Sequence, residues 1–220
     1  MIDLHTHSIF SDGELIPSEL VRRAAVAGYR AIAIADHADF SNFDHMIPRL
    51  SQVAQELGRH YGLPVLFGVE LTYIPPSLID KAAKEARKLG AQLVICHGES
   101  LVEPVPPGTN RAAIEAGVDI LAHPGLISAE DVILAREKGV CLEISTRKGH
   151  SLGNGHLAAI ARKFGADLVI NTDTHSPDDL TPWEKARKVA LGAGLSEDEV
   201  EKARGNSLRI VERILGKKLD

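Results

Sequence analysis

Short apolar runs alternate with amphipathic stretches along the whole chain. The runs are Ile2–Leu4, Ala31–Ala35, Val65–Val69, Leu93–Cys96, Ile120–Ala122, Cys141–Ile144 and Leu168–Ile170. Most are too short for buried helices and are rich in Val and Ile, so the pattern predicts strands. Between them the spacing predicts helices over Pro17–Gly28, Ser77–Leu89, Ser128–Lys138, Gly155–Phe164 and Pro182–Leu191, with Ser77 and Ser128 as N-caps. Ser196–Arg204 and Asn206–Leu215 read as two closing helices. Strands that alternate with helices imply a parallel sheet, because parallel neighbours need crossover connections. Seven such units can close into a barrel or remain an open sheet, and periodicity alone leaves both possible.

Composition narrows the class. A chain of 220 residues that is 44% hydrophobic suits one soluble domain spanning 1–220, large enough to bury a core without disulfides. The formal net charge of −5, with no basic stripe, speaks against nucleic acid as a stable partner. Cys96 and Cys141 lie inside apolar runs and are expected as buried free thiols, which suits a reducing, cytoplasmic compartment. The first residues, MIDLHTH, have neither a basic nor an apolar leader segment, and no run reaches membrane-spanning length.

The polar residues that interrupt this pattern cluster at the C-terminal ends of the strand runs, where α/β barrels place their active sites. The first run ends in His5-Thr6-His7, and alternation along a strand turns both imidazoles to one face. Asp12 follows in a Ser-Asp-Gly loop. Later runs end in Asp36-His37, Glu70, His97, His123 and Asp173-Thr174-His175. Nine candidate ligands result: His5, His7, Asp12, His37, Glu70, His97, His123, Asp173 and His175. Imidazole with carboxylate suits zinc, manganese or iron and requires no thiolate. A structural zinc site would favour cysteine-rich, locally spaced ligands instead. Glu70 is the sharpest of the nine, since a buried unpaired carboxylate is costly and a cation offsets that cost.

The motif set as a whole resembles the polymerase-and-histidinol-phosphatase (PHP) superfamily. DLHTHSIFSDG (Asp3–Gly13), ADH (Ala35–His37), GVE (Gly68–Glu70), CHGE (Cys96–Glu99), AHPG (Ala122–Gly125), TDTH (Thr172–His175) and the closing GNSLRIVERILG follow that family's order across nearly the whole chain. The resemblance implies a distorted (β/α)7 barrel of parallel strands and three divalent metal ions. It implies a first metal on His5, His7, Glu70 and Asp173, a second on the bridging Glu70 with His97 and His123, and a third on Asp12, His37 and His175. It further implies a phosphate-ester hydrolase, a histidinol-phosphatase-like phosphatase or a related phosphoesterase, acting on a small phosphorylated substrate. There a metal-activated hydroxide attacks, Glu70 bridges, and Asp173 or His175 assists proton transfer.

Other residues are weaker candidates. Arg147 and Lys148 follow the sixth run, which offers no metal ligand, and could hold a substrate phosphate. Glu99 and Ser100 stand beside His97, and Asp36 is expected to orient a ligand or cap a loop. Asn110 with Arg111 opens a helix and reads as capping, and His45, His60, His150 and His156 fit no motif, though His150 and His156 flank the sixth run's loop and are weak substrate-site candidates. Two rival readings remain: an amidohydrolase-type C–N hydrolase, which also begins with His-x-His on a barrel strand, and a non-catalytic PHP-like scaffold subunit.

Overall fold

The computed structural model describes residues 1–219. Seven strands form a parallel barrel: β1 (Ile2–Thr6), β2 (Ala31–Ile34), β4 (Val65–Leu71), β5 (Leu93–His97), β6 (Ile120–Ala122), β7 (Cys141–Ser145) and β8 (Leu168–Asn171), paired in that order. A two-residue strand, β3 (His37–Ala38), continues past the end of β2 and pairs His37 with Glu70. Backbone bonds from His7 N to Thr174 O and from Asp173 N to His5 O join the first strand to the segment after the last. The Asn171 side chain accepts from Leu4 N at the same seam. The ring therefore closes, as a distorted (β/α)7 barrel.

The strand runs look continuously apolar because both faces are buried, one inside the barrel and one against the helices. Ile2, Leu4, Ala31, Ala33, Leu66, Leu93, Ile95, Ile120 and Val169 form the inner cluster, and Ile210 and Val211 join it from the last helix. Alternate residues such as Ile32, Phe67, Val69, Val94, Leu121, Leu142 and Ile170 belong to the outer shell. On the inner face, side chains turn from apolar to polar toward the C-terminal end: Leu66, Gly68, Glu70 on β4 and Leu93, Ile95, His97 on β5. A core at one end and a polar mouth at the other follow from that gradient. Cys96 and Cys141 are free and buried.

Helices α1 (Pro17–Val26), α3 (Pro76–Lys88), α5 (Ala129–Lys138), α6 (Asn154–Phe164) and α7 (Trp183–Gly192) lie where the pattern predicts. Ser128 caps α5 by accepting from Asp131 N. Ser77 does not cap α3, which starts one residue earlier at Pro76 behind Pro75, whose fixed φ already suits a helix start. Three differences concern elements. A nineteen-residue helix, α2 (Phe43–Tyr61), fills a stretch assigned no element, burying Phe43, Met46, Ile47, Leu50 and Ala54. Its helical spacing is present in the sequence but Pro48 interrupts it. A short α4 (Thr109–Glu115) begins behind Gly108, and Asn110 is not its cap. The two closing helices are one, α8 (Glu197–Leu215), running through Gly205 because Asn206 donates across to Leu168 O instead of ending the turn. No helix among the described residues is long and apolar enough to cross a membrane.

Candidate metal centre

Glu70 is the hub of the polar mouth. Its side chain is fully buried at the end of β4. Oε1 lies 3.4 Å from His5 Nε2, 3.5 Å from His97 Nδ1 and 3.4 Å from His123 Nε2, and has no hydrogen-bond partner among the described residues. Oε2 lies 2.7 Å from His37 Nδ1 and 3.7 Å from His7 Nε2. Two donors about 2.1 Å from one ion at a tetrahedral angle stand ~3.4 Å apart. The spacing around Oε1 is thus that of atoms sharing a cation, and longer than that of good hydrogen bonds.

The candidate ligands gather into overlapping sets. His5, His7 and Asp173 form one, with His7 Nε2 3.1 Å from both His5 Nε2 and Asp173 Oδ1. Glu70, His97 and His123 form a second. His7, Asp12, His37 and His175 form a third, in which Asp12 Oδ1 is 3.4 Å from His37 and 3.1 Å from His175. All nine residues singled out in the sequence meet at this end of the barrel. The first two sets are buried; Asp12 is exposed at the rim. The donor chemistry and spacing suit divalent cations.

Neighbouring residues hold these side chains in place. Glu143, fully buried on β7, accepts from His5 Nδ1 at 2.8 Å and from Asn171 at 2.9 Å, leaving His5 Nε2 facing the cluster. Asp36 accepts from Ser8 N, Ser8 Oγ and Ser11 Oγ, fixing the loop that carries Asp12. His123 and Asp173 both have positive φ, at 28° and 53°, a conformation that costs about 1–3 kcal/mol each and is tolerated where the surroundings demand it.

The charges are strongly coupled. Burial opposes ionisation of Glu70, but the charges of His5 and His37 and the close approach of the His123 and His37 rings outweigh it, holding the carboxyl well below its ordinary value. Burial likewise opposes the charge on His5, yet Glu143, Glu70 and Asp173 together raise it well above normal. Burial pulls His7 down to about 3. Deprotonated carboxylates and an unprotonated His7 leave lone pairs free for a cation.

Arg147 reaches the site, with Nη1 3.2 Å from Asp173 O, 3.4 Å from Asp173 Oδ1 and in contact with His175 Nδ1. Lys148 is exposed. Glu99 accepts from Gly108 N and Asn110 N and so caps α4, while Asn110 spans from Glu99 N to Pro124 O. His60 is on the surface, and His156 donates to Ile127 O. Two site residues escaped the sequence reading, Glu143 and Glu103, while His150, a weak substrate-site candidate there, is brought into the site. Glu143 had a usable signal, a carboxylate inside the apolar run VCLEI. Glu103 had none, since it lies in an irregular loop. A cavity of about 580 Å³ opens beside the cluster, lined by Asp12, His37, Asp39, Asn42, Tyr73 and Glu103.

The profile of the PHP domain matches residues 3–138, the segment that carries seven of the nine clustered residues. The chain belongs to the PHP domain family. An uncharacterized protein from Methanocaldococcus jannaschii is 53% identical over 90% of this chain and 92% of its own. Ribonuclease P protein component 3 of Methanosarcina mazei is 30% identical over 90% of this chain and 82% of its own. The PHP barrel also superposes on structures of metal-dependent tyrosine phosphatases from Bacillus subtilis and Streptococcus pneumoniae. That match has a TM-score of 0.61 and 16% identity, covering 100% of this chain and 96% of that one, and carries the fold.

Proposed function

We propose that the protein is a metal-dependent phosphoesterase that hydrolyses small phosphate esters at a centre for three divalent cations. The observation that carries this reading is Glu70 Oε1, buried among three imidazole nitrogens with no hydrogen-bond partner in the described residues. His5, His7, Glu70 and Asp173 would hold one cation, Glu70, His97 and His123 a second, and Asp12, His37 and His175 a third. Bound divalent cations supply positive charge at phosphate oxygens and activate water at neutral pH. Glu70 keeps the first two sets in register, and Asp173 or His175 takes up a proton. Arg147, beside Asp173, offers a guanidinium to the phosphate. Zinc, manganese and iron all suit the donors. The test is a panel of phosphate monoesters, diesters and amides given to metal-loaded protein. Turnover of amides alone would favour the amidohydrolase reading.

The resemblance to a ribonuclease P component favours a second reading, a non-catalytic subunit. A scaffold has no need of nine converging ligands, and this chain retains them all. Absence of esterase activity after reconstitution, with metal bound, would support the scaffold.

Two expectations follow for single residues. Elemental analysis should find up to three equivalents of metal. Asp12→Ala and His175→Ala should each remove about one, and the double variant no more than either, since residues of one site act as a unit. Loss of two equivalents by the double variant would assign them to different ions. Arg147→Ala should lower kcat/KM by about 2–3 kcal/mol with metal content unchanged, and Arg147→Lys should recover only part. Wild-type kinetics in Arg147→Ala would leave it as a loop residue.

A further inference from the structure

His150 stands inside the site without belonging to any of the three assigned ligand sets. It opens a 3₁₀ turn, His150–Gly153, in the loop after β7. Its side chain is only 1% exposed. The ring stacks on His123 with centroids 4.0 Å apart and planes at 17°. Asn154 pins the loop by accepting from Ser145 N and donating to Ser145 O. Nε2 lies 3.5 Å from Asp173 Oδ2 and 3.5 Å from Glu103 Oε1.

Its tautomer follows from its neighbours. Ser100 Oγ accepts from Val102 N and lies 2.6 Å from His150 Nδ1. With an amide donating to one lone pair of that oxygen, the hydroxyl proton is free to go to Nδ1, an arrangement that puts the ring proton on Nε2. The other face agrees: two carboxylate oxygens confront Nε2, and a lone pair there would be repelled. At 3.5 Å neither oxygen takes a good hydrogen bond, so the Nε2–H is left for a third acceptor. An Nε2 that carries a proton is not a metal ligand.

We infer that His150 is a direct contact to the substrate's phosphoryl group, donating from Nε2 to a phosphoryl oxygen; this rests on the phosphoesterase reading above. The position suits that role. Asp173 belongs to the set with His5 and His7, and His123 to the set with Glu70 and His97, so His150 overlooks the junction of the two. Arg147, three residues earlier in the same loop, approaches Asp173 Oδ1 while His150 approaches Oδ2. One loop thus presents two donors on either side of a shared carboxylate.

The experiment compares metal-loaded wild type, His150→Ala, His150→Gln and Ser100→Ala for metal content, calorimetric affinity for inorganic phosphate, and kcat/KM. His150→Ala should keep its metal and bind phosphate about 10- to 100-fold more weakly, the range for a hydrogen bond to a charged group. His150→Gln, which retains an N–H at similar reach, should recover part of the affinity. Ser100→Ala should show a smaller loss, because the tautomer is no longer enforced. Should His150→Ala fold poorly, His150→Gln and Ser100→Ala carry the same comparison. Unchanged phosphate affinity in active, metal-loaded His150→Ala, or in Ser100→Ala where His150→Ala does not fold, would overturn the inference alone. So would loss of a metal equivalent, which would make His150 a ligand. Wild type that neither binds phosphate nor turns over any ester would overturn the phosphoesterase reading and this inference together.

Discussion

Glu70→Gln is expected to strip the centre of most of its metal and to lower turnover by more than roughly a hundredfold, the upper range for disturbing a ligand's partner alone. The side chain keeps its shape, so the loss comes from charge. Glutamine also brings an NH2 group toward a ring of imidazole nitrogens, where Glu70 Oε1 now stands 3.4–3.5 Å from three of them. The fold should survive, because the inner apolar cluster of Leu66, Leu93, Ile95 and Ile120 lies below the change. Circular dichroism, elemental analysis and kcat/KM measured together separate these effects. Near-wild-type turnover with full metal content would remove Glu70 from the mechanism.

Gly125→Ala should be the most damaging small substitution outside the ligands. Gly125 has φ +60°, and a Cβ there would stand 2.0 Å from Glu99 O. The residue sits where loops following β5, β6 and β7 meet, since Gly153 packs against it from the third. Strain and forced displacement of backbone together should cost at least about 3 kcal/mol, or roughly 6–12 °C in Tm for a chain of this size. Gly139→Ala is the control: φ is +69°, but nothing lies within 4 Å of its Cβ, so it carries the conformational cost without the collision. Equal losses in the two variants would show that the close approach of Gly125 to Glu99 is not what constrains this position.

The legible parts of the chain are those where one physical rule dominates. Strand runs buried on both faces read as apolar without interruption, and ligands stand out because they interrupt that run at its end. Glu70 was conspicuous for this reason, and Glu143 was overlooked because it lies mid-run with Leu142 and Ile144 on either side. α2 was hidden by Pro48, which a helix tolerates here while five buried side chains hold it. His150 could be read only as a weak substrate-site candidate beside the sixth run's loop. Its meaning depends on Ser100, Asp173 and Glu103, which are brought to it only by the closed barrel.

The seam of that barrel has a bearing on how the molecule comes apart. β1 and the segment after β8 are joined by few backbone bonds, and they are also the pieces that carry His5 and His7 on one side and Asp173 and His175 on the other. The two ends of the polypeptide cannot separate there without pulling those four residues away from one another. Opening the ring and dismantling the polar cluster are therefore a single event. A cation shared across this line would act as a buckle between residues more than 160 positions apart in the chain.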